Sequence, residues 1–400
     1  EINLRDGKEW LDKERIDDTV KALQLNAKNK LLEINKQVTE DLLLKGHDVD
    51  GLEGWNGGRS QIIQFFDWEN IHNNQFTIIR QFRVDCPPGY DKGKGYIIPD
   101  IVLFVNGLPL VVIECKSPAV QEPIIQAIDQ LRRYTNQRFE AGEVHDKEGN
   151  ENLFITNQLL IATSFDEARI STIGGLAEHY LPWKTTYPEK EETICEKLGV
   201  SQLSEQQRLV QGILEPKNLL DLVRHFVINQ TENGRLIKIA PRYQQYRAVN
   251  KAVERLKNGD TRAIDGEHDK RGGIIWHTQG SGKSLTMVFL VRKMRSDYHL
   301  QTFKIVMVTD RKQLQKQLAA TSILTGEKVY VAKDAKSVNK LIESTTPDIV
   351  FAMIQKYQDQ DLKAIKADEK MALDQLTSTT KKSSRVRNAN ENILILIDEA

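Results

Sequence analysis

The stretch that most limits what this chain can fold into is Gly273-Ile274-Ile275-Trp276-His277-Thr278-Gln279-Gly280-Ser281-Gly282-Lys283-Ser284. A short apolar run meets two closely spaced glycines and then Lys-Ser, and Leu285, Val288 and Phe289 follow at helical spacing. This order predicts a strand over 273–276, a turn on Gly280 and Gly282, and a helix opening at Lys283. Such a turn aims backbone N–H groups and the positive end of a helix dipole at one point, where phosphate is held. Thr278, Gln279, Gly280, Ser281 and Gly282 then form the cradle, Lys283 reaches the outer phosphates, and the Ser284 hydroxyl can ligate Mg²⁺. His277 stands where a first glycine is usual. The competing reading, a flexible surface loop, gives no reason for Lys and Ser directly after the glycines.

Strands expected at Ile305–Val308, Asp348–Ala352 and Ile393–Ile397 alternate with helical patterns, one of them opening at Asp310-Arg311. Alternation of this kind predicts a parallel sheet with ligands at the carboxyl ends of its strands. The last strand runs into Asp398-Glu399. There Asp398 can hold Mg²⁺ and Glu399 can polarise an attacking water. Some thirty residues before the glycine turn, Pro241-Arg242-Tyr243-Gln244-Gln245-Tyr246 offers a carboxamide and aromatics suited to adenine, with Gln245 preferred over Gln244. The charged stretch Asp359–Asn392 reads as a solvated excursion, with a nucleic-acid-contacting loop as the alternative.

A second constellation lies upstream. Ile97–Val105 and Leu108–Ile113 are near-continuous apolar runs joined by Asn106-Gly107, a hairpin signal with both faces buried. Asp100, Glu114 and Lys116 sit on the ends of these runs, where an unpaired buried charge costs several kcal/mol. Glu114 and Lys116 are two apart and share a face. Asp100 joins them only if the hairpin has an odd loop or a bulge; a plain two-residue turn sends it to the opposite side. With that register, Asp100, Glu114 and the backbone carbonyl of Cys115 make a hard-oxygen site for Mg²⁺. Lys116 can then orient or deprotonate an attacking water and offset charge on a scissile phosphate. The plainer alternative is a buried ion pair of Lys116 with one carboxylate. Pro123 opens a helix with Ile124, Ile125, Ile128 and Leu131 on its apolar face. Gln130 and Tyr134 lie one turn apart on it, readable as holders of a nucleic acid backbone or as ordinary helix surface. Gln158–Thr163 reads as a further buried strand.

Charge is unevenly shared. Residues 1–200 hold 23 Lys+Arg against 33 Asp+Glu and residues 201–400 hold 33 against 23, so the halves carry −10 and +10. A basic half around the phosphate loop suggests a polyanionic partner. No apolar run approaches the roughly 20 residues that span a bilayer. Three widely spaced cysteines, Cys86, Cys115 and Cys195, give neither a disulfide framework nor a zinc pattern, which points to a reducing cytoplasm.

Gln245, Gly280–Ser284, Asp310-Arg311 and Asp398-Glu399, beside Asp100, Glu114 and Lys116, together resemble the R (motor and endonuclease) subunit of type I restriction enzymes. The likeness takes in Pro99-Asp100 through Glu114, Gln130-x-x-x-Tyr134, Ala168-Arg169-Ile170, Arg224-His225 and Ile275–Thr278. It implies an α/β chain in three parts. Residues 1–180 would form a restriction-endonuclease-like PD-(D/E)xK mixed-sheet domain, 181–235 a bridging region, and 236–400 a first RecA-like helicase lobe. It implies ATP-driven movement of double-stranded DNA, Mg²⁺-dependent cleavage, and modification (methyltransferase) and specificity subunits as partners. Arg311 joins Gln130 and Tyr134 as a nucleic-acid-positioning residue. Cys115 stands where many relatives have Leu, and only its carbonyl is needed. A second motor lobe is expected beyond Ala400. Two other classes remain: a standalone repair or defence helicase-nuclease, and a non-catalytic DNA-binding module whose loop only holds nucleotide. Intact Lys283, Ser284, Asp398 and Glu399 argue against the second.

Overall fold

A computed structural model describes residues 4–5, 8–24, 30–51, 56–90, 93–137, 147–278, 280–309, 329–332, 335–352 and 388–398. The chain divides into two compact units, Glu1–Gln244 and Gln245–Ala400.

The first unit is built on helix α1 (Leu31–Gln37), strands β1 (Phe76–Arg80), β2 (Ile101–Val105) and β3 (Leu108–Cys115), helix α2 (Pro123–Tyr134), and strands β4 (Leu159–Ser164) and β5 (Glu167–Ser171). The five strands form one sheet in the order β5-β4-β3-β2-β1. Only β3 and β4 run parallel, joined by α2 as a crossover; the other neighbours are antiparallel. Proline at the first turn of α2 costs no hydrogen bond there, and Arg132 and Arg133 sit in the last turn, where the helix dipole favours cations. The helix lays Ala127, Ile128, Leu131 and Tyr134 on Val102, Val112, Leu160 and Ala162 of the sheet. Val111 and Ile161, which alternate with these along their strands, are buried as well, so both faces of the central strands are covered.

The register of the β2–β3 hairpin is what places the charged residues. Asn106 and Gly107 take φ of 50° and 81° in a plain two-residue turn that pairs Val105 with Leu108. Asn106 is held there by accepting from Gln75 N (2.7 Å) and donating to Phe65 O (2.8 Å). The pairing then shifts: Phe104 faces Pro109 but Leu103 faces Val111, which leaves Leu110 as an extra residue. Pro109 has no N–H to give the ladder, so the bulge falls where the ladder is already interrupted. Beyond it Ile101 faces Ile113, and continuing that register sets Asp100 opposite Glu114. The odd residue that would put Asp100 on the face of Glu114 is therefore supplied by a bulge and not by the turn.

Strand Gln61–Ile63 pairs with His47–Val49. Strand β1 stops at Arg80, because Gln81 turns to a φ of 51°. Between 181 and 235 the chain carries helices Glu191–Leu198, Glu205–Leu209 and Pro216–Asp221 and buries Trp183, Leu209, Ile213, Leu219 and Phe226. A hairpin of β6 (Ile228–Glu232) and β7 (Arg235–Ile239), turning on Asn233-Gly234, follows.

Lys238 of β7 fastens that hairpin to the sheet unit. Its ammonium is buried and donates to Asn35 Oδ1 (2.6 Å), Asn157 O (2.9 Å) and Gln158 Oε1 (2.9 Å). Lys238→Met should leave those buried acceptors without their charged donor, a loss of about 3 kcal/mol. Urea unfolding of the intact protein would measure it, and a change below about 0.5 kcal/mol would show that the network adds nothing net.

In the second unit, helix α3 (Tyr243–Asn258) precedes the glycine turn and helix α4 (Lys283–Ser296) follows it. Strands β8 (Lys304–Val308), β9 (Val329–Val331), β10 (Ile349–Ala352) and β11 (Ile393–Ile397) form an all-parallel sheet in the order β9-β10-β8-β11. Expected strands at 305–308, 348–352 and 393–397 are all present. The expected strand at 273–276 is not: these residues make no strand pairing, and Ile274 and Trp276 are 96% and 89% exposed. An apolar run becomes a strand only when a neighbour satisfies its backbone, and none of the described strands does so here. Most of Asp359–Asn392 lies outside the described residues, as does the helix expected from Asp310. Among the described residues no helix is long and apolar enough to cross a membrane.

Candidate active site

Asp100, Glu114 and Lys116 meet at one end of the β2–β3 pair, on the face that α2 covers. Asp100 is gripped on both oxygens. Gln81 Nε2 donates to Oδ1 (2.7 Å) and the backbone N–H of Cys115 to Oδ2 (2.8 Å). Glu114 is fully buried between Lys116 and Tyr134. Lys116 Nζ donates to Glu114 Oε1 (2.7 Å) and to Gln130 Oε1 (2.6 Å). Gln130 Nε2 in turn donates to Tyr134 OH (2.5 Å). The Tyr134 hydroxyl lies 3.0 Å from Ile98 O and 3.2 Å from Glu114 Oε2, so its single proton serves one acceptor at a time. Gln130 and Tyr134 thus belong to the cluster and not to a bare helix surface.

Burial pushes the Glu114 carboxyl up to about 7; the nearby Asp100 charge adds to this, while the bonds from Lys116 and Tyr134 oppose it. Burial and the neighbouring Glu114 likewise raise the Tyr134 phenol, which stays protonated. The ion pair of Lys116 with Glu114 exists, yet it leaves Asp100 facing the same spot with no cation of its own in the cluster. Two carboxylates from adjacent strands are hard-oxygen donors of the kind Mg²⁺ takes. Among the described residues no three His, Cys, Asp or Glu side chains gather closely enough to hold a metal. Further ligands here would come from a backbone carbonyl such as that of Cys115, from water or from phosphate.

The second unit carries the glycine turn. Gly280 and Gly282 have φ of 75° and 84°, which only glycine adopts without strain. At Gly280 nothing stands within 4 Å of where a side chain would begin. At Gly282 a Cβ would lie 2.5 Å from Gln245 Nε2. Ser281 folds back on Thr278, donating from both N (3.2 Å) and Oγ (2.6 Å) to its carbonyl. Gln245 is buried and donates to Gly282 O (2.9 Å). Its carboxamide, expected to read adenine, is seen bracing the loop. Lys283 and Ser284 open α4, with Gly282 as the residue before its first turn. Burial and the Lys283 charge hold the His277 imidazole below its ordinary range. Asp398 follows β11 at the carboxyl end of the sheet, its N–H on Val308 O (2.9 Å) and its Oδ2 at a long 3.4 Å from Thr309 Oγ1. Gln279, Arg311 and Glu399 lie outside the described residues.

Gln81 was missed from the sequence. Nothing in Arg80-Gln81-Phe82 distinguishes it from other strand-end polar residues, and only the fold brings it across to Asp100.

Comparison with known proteins divides the chain much as the two sites do. A family model described as the N terminus of the type I restriction enzyme R protein matches residues 3–174. One described as the SWI2/SNF2 ATPase matches residues 244–400. The type I restriction enzyme HindI endonuclease subunit of Haemophilus influenzae is 30% identical over 98% of this chain and 33% of its own length. A type I restriction enzyme MjaIXP endonuclease subunit of Methanocaldococcus jannaschii, itself named as putative, is 25% identical over 87% of this chain and 32% of its own. The SsaAORF53P endonuclease subunit of Staphylococcus saprophyticus is 27% identical over 64% and 23%. The chain spans about a third of the length of the first two relatives. With residues 3–174 matched by the restriction model, 244–400 by the ATPase model, and nearly all of it aligned to one such subunit, the chain is similar along almost its whole length to the R (endonuclease) subunits of type I restriction enzymes.

Proposed function

We propose that this chain is the cutting and ATP-consuming part of a type I restriction enzyme. In this reading it hydrolyses ATP to pull double-stranded DNA and cleaves it at a Mg²⁺-dependent centre. Asp100 and Glu114 facing one another across β2 and β3, with Lys116 held beside them, is the observation that carries the nuclease half. The proposed fold is a PD-(D/E)xK sheet domain followed by a RecA-like lobe, with residues 181–235 bridging them. Its proposed partners are DNA and the modification and specificity subunits, and its place the cytoplasm.

At the cutting site Asp100, Glu114 and the Cys115 carbonyl would hold the metal, which supplies charge stabilisation at phosphate and a more acidic bound water. The chain's own residues do the rest. Lys116, fixed by Glu114 and Gln130, presents its ammonium to the scissile phosphate and to the attacking water. Tyr134 and Gln130 fix Lys116 and Glu114, and so position the pair from behind. In the second unit Thr278 to Gly282 would bind phosphate, Lys283 would neutralise it, and Gln245 would brace the loop and face the base. Ser284 and Asp398 would hold Mg²⁺, Glu399 would orient water, and Arg311 would contact DNA.

Metal binding offers a first test. A cation needs the Glu114 carboxylate deprotonated. With that group raised to about 7, affinity should fall as pH drops below about 7, by up to roughly tenfold per unit. Above that it should level off. Mn²⁺ titrations of the intact protein at several pH values would show it; affinity independent of pH between 5.5 and 8 would remove Glu114 from the ligand set. Supercoiled plasmid cleavage should also need both ATP and Mg²⁺ and stop with a chelator. Cleavage that persists in the chelator would end the metal-dependent reading.

A further inference from the structure

From Gln81 we infer that the cutting site has an additional positioning residue, one whose carboxamide sets the orientation of the Asp100 carboxylate and so the metal affinity of the site. The inference rests on the nuclease reading above. Gln81 follows the last residue of β1, opposite Asp100: Arg80 pairs with Ile101, and Gln81 N donates to Asp100 O at 2.8 Å. Its φ of 51° is left-handed, a conformation that a residue with a full side chain takes at a cost.

Part of that turn has a packing reason. It lets the next residue, Phe82, reach the Phe104 ring at 5.4 Å, edge to face. Packing alone would be served with less strain by Gly or Asn, which visit this region readily. What Gln adds is reach. Its Nε2 donates to Asp100 Oδ1 at 2.7 Å, while Cys115 N–H takes Oδ2 at 2.8 Å from the other side. The carboxylate of β2 is therefore gripped by β3 on one side and by the end of β1 on the other. Each oxygen keeps a lone pair for a cation, and turning the carboxylate out of this orientation breaks both bonds. Partners of this kind, which touch a ligand and not the metal, typically govern metal affinity by about 10–100-fold.

The test uses the intact protein without DNA or nucleotide, titrated with Mn²⁺ and read by electron paramagnetic resonance. The site in question is the one lost in Asp100→Ala. Gln81→Gly removes the carboxamide and relieves the backbone; Gln81→Asn keeps an amide one methylene too short in a residue that tolerates the turn. Both should bind Mn²⁺ at that site about 10–100-fold more weakly, with apo melting temperatures at or above wild type. ATP hydrolysis should be unchanged. Wild-type affinity in both variants overturns the inference. So does a fall in apo stability that accompanies the affinity loss in both, since Gln81 would then act on the fold. If wild type has no Mn²⁺ site that Asp100→Ala removes, the nuclease reading itself has failed, and that outcome is distinct from the other two.

Discussion

Lys283→Ala is expected to abolish ATP turnover in the intact protein and, with it, DNA cleavage. Lys283 is the first residue of α4, directly after a turn whose Gly280 and Gly282 take left-handed φ. Its ammonium is the side-chain cation the loop offers to phosphate. Losing one such group from a transition state costs roughly 10²–10³-fold in rate, and weakened nucleotide binding adds to that. Alanine is the best helix former, so α4 should keep its first turn and the protein its melting temperature. Hydrolysis measured with and without DNA, after removal of other NTPases, checks the result. Turnover within tenfold of wild type in a folded protein would mean that this loop is not the ATP site. Gly282→Ala should injure the same site through the backbone instead. It needs a φ of 84° and would drive a Cβ against Gln245.

How far these sites could be read in advance depended on what fixes each residue. Glu114 and Lys116 were legible because a period of two settles their common face whatever the fold does around them. Asp100 was legible only conditionally. Chemistry demanded an odd residue, but nothing said whether turn or strand would supply it, and Pro109 with Leu110 settled it in the strand. Gln130 and Tyr134 could be placed on one helix face but not against Glu114, because that contact depends on how α2 packs across β3. Gln81 was invisible, since a left-handed glutamine runs against its own preference. Lys238 was equally hidden: three acceptors distant in sequence accommodate it. The run Gly273–Trp276 shows the opposite failure. Its apolar residues promised a strand, yet strand formation is decided by a neighbouring backbone that local sequence does not contain.

Glu114→Ala should separate the two engines. The change removes a proposed metal ligand and also the partner of Lys116, whose ammonium would then rest on Gln130 alone within the cluster. Cleavage should fall by roughly 10²–10³-fold or more. The fold should survive, because the substitution replaces a buried carboxyl that burial already disfavours as an anion with a methyl group, and Val112 and Ala162 continue the apolar face beside it. ATP hydrolysis should stay at wild-type level: Glu114 belongs to the first compact unit, whereas Lys283, Ser284 and Asp398 belong to the second. Lys283→Ala should stop both activities, because the proposed function makes cutting depend on ATP. Both assays belong on one Glu114→Ala preparation, assembled with its proposed modification and specificity partners. Cleavage at the wild-type rate would refute the nuclease assignment outright. Loss of both activities in a folded protein would instead show that the acidic and basic halves work as a single device, so that the metal site and the phosphate loop cannot be assigned separate reactions.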